Sequence, residues 1–281
     1  MRTFKLSAVL AALLAAPALV GAVLPIPHTS APTRTDRTMA PNPATGDLST
    51  LALAQRVPMT NAQRLARGLA PNRPRFNHAA RRGLAPRASA APDPNPCPTM
   101  TGTVRVAGAG TSASTFVSRV PNVFGEYGVT TDAANALLVQ YANCAGAASA
   151  DLVTLNGIAD FTYLGGITGF SSLSGDLGPG SSMYAYLGGT SQTAPGATPQ
   201  AVPNSFTFTT GIQEDVESAI WTLDRTTGVL SAHWSNTDRS TPAISIVYYA
   251  PENFLLLTGN PAAFRTTYGA GSVVTLTFVE A

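Results

Sequence analysis

Residues 218–235 read Ser218-Ala219-Ile220-Trp221-Thr222-Leu223-Asp224-Arg225-Thr226-Thr227-Gly228-Val229-Leu230-Ser231-Ala232-His233-Trp234-Ser235, and their alternation decides the fold class. Two runs of period two flank a turn at Arg225–Gly228, which is the pattern of a β-hairpin. A four-residue turn sets Leu223 opposite Leu230, Trp221 opposite Ala232 and Ala219 opposite Trp234. Both tryptophans then lie on one apolar face, which becomes the core side. Thr222, Ser231 and His233 fall on the opposite, wet face. The Asp-x-x-Thr-Gly turn beside a tryptophan also occurs in propeller blades, but here it appears once.

The same alternation extends outward. Val, Thr, Tyr and Phe alternate with small polar residues between Gly, Asn, Asp and Pro signals. Strands are expected near 102–107, 114–119, 136–141, 151–155, 160–165, 182–187, 205–209, 218–224, 229–235, 243–249, 253–257 and 272–279. The clearest helix is short: Asn260 as N-cap, Pro261 at the first position, then Ala262-Ala263-Phe264. Many short strands predict an all-β body, a two-sheet jelly-roll-like β-sandwich, with a barrel as the alternative.

Sequence blocks recur within this body. Val120-Pro121-Asn122-x-Phe124 returns as Val202-Pro203-Asn204-x-Phe206, and Gly128-Val129-x-x-Asp132 as Gly211-Ile212-x-x-Asp215. Asp160-Phe161 aligns with Asn253-Phe254, and Gly178-Pro179-Gly180-Ser181 with Gly269-Ala270-Gly271-Ser272. Four blocks in one order, at offsets of 82 to 93, predict two copies of a β motif, about 102–187 and 182–281.

Charge divides the chain differently. Residues 1–87 hold 12 of the 17 Lys and Arg and only Asp36 and Asp47, a net +10. Residues 88–281 hold five Arg against 13 acids, a net −8. A body at that charge repels phosphates, so a nucleic-acid partner is excluded from the expectations. The split also predicts attraction between the +10 segment and the body at low salt.

The first 22 residues read as a secretory signal peptide: Arg2 and Lys5, the apolar run Leu6–Val20, and cleavage after Ala22. No later stretch is apolar enough to span a membrane. Residues 23–87 are a basic, Pro- and Arg-rich segment expected to be disordered, and the β domain is placed at 97–281. Arg81-Arg82 is a dibasic pair suited to a kexin-type processing protease. Export also favours a disulfide between Cys97 and Cys144, the only two cysteines, adding about 3–4 kcal/mol by the loop-entropy estimate.

The run Met59-Thr60-Asn61-Ala62-Gln63-Arg64-Leu65-Ala66-Arg67-Gly68-Leu69-Ala70-Pro71-Asn72-Arg73-Pro74-Arg75 resembles a leader common in secreted proteins of basidiomycete fungi. The resemblance continues through Gly175–Ser182 and Glu217–Trp221. It implies a fungal, extracellular protein with an acidic Gly- and Ser-rich β domain. It transfers no catalytic residue, because the family carries no assigned activity.

The candidate chemistry is sparse. His233 is the only histidine outside the leader, so a multi-histidine zinc site is excluded, and no cofactor is expected. No G-x-S-x-G elbow, P-loop or glycosylation sequon is present. Carboxylates remain. Glu214 and Glu217 belong to one repeat copy only, as does Glu126; Asp215, matched by Asp132, reads as a turn residue. Two carboxyls about 5–9.5 Å apart can act as acid and base on a glycosidic bond. The plain reading of the Glu214–Glu217 stretch is a solvated acidic loop. Tyr184 and Tyr186 share one strand face, opposite Met183, Ala185 and Leu187; paired tyrosines either stack on sugars or belong to the core.

Three functions follow as expectations. The leading one is a non-catalytic extracellular module binding cell-wall or host carbohydrate. The second is a secreted acid hydrolase whose acidic site a basic leader masks until cut; the motifs of fungal glutamic peptidases are absent. The third is a structural wall protein.

Overall fold

The computed structural model describes residues 40–44, 97–108, 111, 112, 114–142 and 149–281. Ala22, Arg81, Arg82 and Cys144 lie outside these residues, so the expected signal cleavage, dibasic processing and disulfide partner do too. Cys97 is described, half-buried just ahead of the first strand.

Among the described residues thirteen strands form one sheet: β1 (Thr99–Gly108), β2 (Phe116–Pro121), β3 (Tyr127–Thr130), β4 (Leu138–Ala142), β5 (Leu152–Thr154), β6 (Tyr163–Thr168), β7 (Tyr184–Thr190), β8 (Val216–Glu217), β9 (Trp221–Leu223), β10 (Val229–Ala232), β11 (Ser245–Tyr249), β12 (Phe254–Thr258) and β13 (Ser272–Glu280). Two described helices cover it, α1 (Ser205–Thr210) and α2 (Pro261–Tyr268).

The sheet closes on itself. Its ring runs β1-β4-β5-β6-β7-β12-β11-β13 and returns to β1 through antiparallel pairs from Gly102↔Glu280 to Gly108↔Val274. The all-β expectation therefore holds, while the two-sheet division gives way to an eight-stranded barrel with strands added at its rim. Closure pairs the backbone edges that an open sheet leaves bare. Around the ring, β1, β4, β5, β6 and β7 follow in chain order, then β12, β11 and β13. The repeated blocks take different local roles: Asn204 caps α1, whereas Asn122 closes a tight turn ahead of β3.

Period two sets two cores. Val104, Val106, Val139, Tyr141, Leu152, Leu164, Ala185, Leu187, Leu255, Leu257, Leu276 and Phe278 face the barrel interior with both tryptophans. The opposite faces of β6, β7, β12 and β11 carry Ile167, Tyr184, Tyr186, Phe254, Leu256, Val247 and Tyr249. These pack beneath Phe206 of α1 and Phe264 of α2 as a second, outer core. β7 and β12 are consequently buried at every position. The unbroken run Phe254-Leu255-Leu256-Leu257 is the sequence signature of such a doubly covered strand.

The hairpin forms in the expected register, with Leu223↔Leu230, Thr222↔Ser231 and Trp221↔Ala232 paired. Asp224 fixes its turn, accepting from Thr226 N–H and the Thr227 hydroxyl at 2.8 Å each, and Gly228 supplies φ 75°. α2 also starts as expected, with Asn260 Oδ1 accepting the Ala263 N–H at 3.0 Å.

Residues 205–209 form a helix instead of the expected strand. Ser-Phe-Thr-Phe-Thr favours β by propensity, but Asn204 accepts the Thr207 N–H at 2.8 Å and Gly211 ends the turn in the left-handed region. The helical turn separates the two phenylalanines: Phe206 is fully buried and Phe208 is 71 % exposed. β3 is an unexpected strand, because Gly128 reads as a turn. A side chain there would put Cβ 2.0 Å from the Asn253 carbonyl oxygen, so the strand needs glycine.

Candidate functional site

The outer core is completed by the leader. Residues 40–44 belong to the same compact unit as the β body, and Pro41, Asn42 and Pro43 are buried. For these residues the expected disorder is corrected. Their composition suits a docked, extended segment. Ala40 and Asn42 each precede a proline and are biased away from helix, and Pro41 and Pro43 have no N–H to satisfy.

The body meets this segment with polar groups. Ser171 donates its hydroxyl to the Ala40 carbonyl at 2.5 Å. Tyr184 and Tyr186 both donate their hydroxyls to the Pro41 carbonyl. Those hydroxyls in turn accept main-chain N–H groups, from Ser171 at 3.3 Å and Phe170 at 3.1 Å. The Asn42 carboxamide donates to two carboxyls, Glu126 Oε2 at 3.2 Å and Glu252 Oε2 at 2.9 Å.

Glu126 is set by the turn before β3. Asn122 Oδ1 accepts the N–H groups of Phe124 and Glu126 at 3.0 and 3.1 Å. Its Nδ2 donates to Glu126 Oε2 at 2.8 Å and to the Glu252 carbonyl at 3.2 Å. Glu126 is fully buried, and burial pushes its carboxyl up to about 8. Hydrogen bonds from Asn122 and Asn42 pull against that shift, and the Glu252 charge adds to it. The other oxygen, Glu126 Oε1, has no partner among the described residues, and neither has Asn42 Oδ1. Burial likewise lifts Tyr184 and Tyr186 well above the ordinary tyrosine range, so both stay neutral donors.

A cavity of about 500 Å³ adjoins the segment. Ala40, Asn42, Pro43 and Ala44 line one side, and Asn122, Val123, Phe124 and Glu252 the other. Around the docked residues the rings pack edge to face, Tyr184 on Tyr186 at 5.2 Å between centroids and Tyr184 on Phe264 at 5.3 Å.

The other expected site residues lie elsewhere. Glu214 and Glu217 are buried, so the solvated acidic loop is corrected. The Glu214 main chain is held by Thr207 at 3.2 Å and Asn204 at 2.9 Å. Glu217 takes the Ser235 N–H on both carboxyl oxygens, at 3.2 and 3.1 Å, and burial raises it to about 8 against that bond. Glu126 thus shares a ligand group with Glu252, not with Glu214 or Glu217. His233 is exposed and bonded to the Thr222 hydroxyl at 3.1 Å, as a wet sheet face implies. The tyrosine rings are core, and only their hydroxyls serve the site. No metal-holding cluster occurs among the described residues. Sequence reading missed Asn42, Ser171 and Glu252; the one signal was Asn42 between two prolines. No protein-family model, curated protein or solved structure matches the chain.

Proposed function

We propose that the protein is a secreted binding module, made with a basic leader, that captures its ligand in the outer-core pocket around Glu126, Glu252, Tyr184 and Tyr186. One observation supports this most: Ser171, Tyr184, Tyr186, Glu126 and Glu252 all direct polar groups at residues 40–42, beside the bonds that the tyrosine hydroxyls and Glu126 make within the body. A purely structural core satisfies its buried polar groups internally. A binding site holds them ready for something else. The proposal includes export, the kinship with secreted basidiomycete proteins and the Cys97–Cys144 bridge.

Cell-wall or host carbohydrate is the first ligand class to test, through hydrogen bonding in the pocket. The buried tyrosine rings offer no open stacking platform. The test compares the full chain with leader-cleaved protein, freed of the cut segment, on wall material and glycan arrays. Retention of the cleaved form, weakened tenfold or more by Tyr186→Phe, is expected. No retention on any wall, glycan or peptide ligand removes the reading.

A hydrolase is the second reading, favoured by one observation. Glu126 stays protonated up to about pH 8, suited to a general acid, and its neighbour Glu252 is more open. Cleaved protein would then turn over wall polysaccharide or protein substrate, and Glu126→Gln would abolish it. Absence of turnover at pH 3–8 discards this reading.

A further inference from the structure

Resting on the pocket assigned above, we infer that its ligand is an extended, proline-flanked peptide bearing an asparagine, and that residues 40–44 are its intramolecular occupant. The pocket is complementary to such a peptide group by group. Three hydroxyl donors meet two consecutive carbonyls, those of Ala40 and Pro41. Two carboxyl oxygens meet one carboxamide NH₂.

Each ligand residue has a chemical reason. An ordinary residue at 41 or 43 would bring a main-chain N–H into a buried place and require an acceptor for it. Proline brings none, and its ring adds apolar surface to the aromatic layer. Proline-flanked chains are also stiff, so they lose little entropy on docking. Asparagine is selected over aspartate because its NH₂ donates to both carboxyls, and an aspartate would lose that donor and bring a like charge against Glu252. The cavity beside Pro43 and Ala44 leaves room for a larger side chain or a longer chain on that side. The charge split favours a basic peptide over an acidic one, since the body carries −8.

Cleavage after Arg82 would cut the covalent link between this occupant and the body. From then on non-covalent contacts hold it, among them those at Ser171, Tyr184, Tyr186, Glu126 and Glu252. The processed protein is therefore released with its pocket filled, and a second peptide must displace the first.

The test uses the full chain carrying sites for a sequence-specific protease after Arg37 and after Arg56. Mass spectrometry verifies both cuts, and gel filtration then shows whether the freed 38–56 peptide stays with the body. The peptide is expected to co-elute and to be displaced by excess synthetic 38–56 but not by a scrambled peptide. Asn42→Asp should lower retention at least tenfold, and adding Glu252→Gln should restore part of it. Loss of the peptide from a body that stays folded by circular dichroism, with no binding of synthetic 38–56, overturns the inference. If that same body still binds a glycan, the module reading survives alone. Equal retention of the Asn42→Asp peptide overturns the carboxamide assignment.

Should the cut protein aggregate, hydrogen exchange on uncut chains decides. Asn42→Asp is expected to speed exchange at the Phe170 and Ser171 amides, which the two tyrosine hydroxyls hold. Unchanged exchange at both sites counts against the inference.

Discussion

Strand β7 is buried on both faces, and different parts of the chain complete the two. Ala185 and Leu187 point into the barrel, where their apolar neighbours among the described residues belong to the body itself. Tyr184 and Tyr186 point outward, where the two hydroxyls end on a carbonyl of the leader. On β7 the inner face carries only the aliphatic Ala185 and Leu187, whose packing asks for size. The outer face carries hydroxyls and a neutral carboxyl that need specific partners. A strand can thus anchor a fold with one side and hold a recognition site with the other.

Four experiments test how separate the faces are. The largest effect is expected from pH. Glu126 and Glu217 both have folded-state values near 8, against an ordinary 4.5. Between those limits the folded protein holds protons that the unfolded chain has released. The contribution of these two groups to stability is therefore greatest below pH 4.5, falls as pH rises towards 8, and levels off above it. The loss is on the order of 5 kcal/mol for each group, followed by thermal melts across that range. Glu126→Gln should remove the outer face's share of the slope. An unchanged slope would break the assignment of that share to Glu126.

Next comes the inner face. Trp234 is fully buried, donates to the Gly175 carbonyl at 2.8 Å and fills the space that Gly166 leaves. Trp234→Ala should cost about 4 kcal/mol in urea unfolding. The outer pair comes third. Tyr184→Phe with Tyr186→Phe leaves the rings and the barrel in place but strands the Pro41 carbonyl and two N–H groups. A loss of about 2 kcal/mol is expected, and release of the 38–56 peptide with it. If stability falls as far as for Trp234→Ala, the faces are not separable. The smallest effect is at the roof of the outer core. Asn204→Ala removes the cap of α1 and should cost about 1 kcal/mol, with fraying at Thr207 seen by hydrogen exchange.

Legibility followed the range of the interactions. The register of the hairpin from Trp221 to Ala232 and the start of α2 were readable, because adjacent side chains and turn residues determine them; the strands end short of the expected 218 and 235. The outer cover was partly readable: Phe254–Leu257 announces a doubly buried strand, but Phe206 and Phe208 suggested a strand until the Asn204 and Gly211 caps are weighed against propensity. Ring closure between β1 and β13 was not readable, since no local pattern reports which distant edges meet. Among the site residues, Glu126 stood out because the other repeat copy lacks it. Glu252 was hidden in a Pro-Glu-Asn turn, and Asn42 in a segment whose composition resembles an unfolded linker. Both gain their roles only across the chain, from partners 84 to 210 residues apart.

The seam between β1 and β13 also sets an order of events. The ribosome makes Thr99–Gly108 early and Ser272–Glu280 late, and the ring cannot shut until the later segment has emerged. A nascent chain thus carries its occupant segment for most of translation before the pocket that receives it exists. Closure links distant positions, which slows folding and leaves sheet edges bare meanwhile.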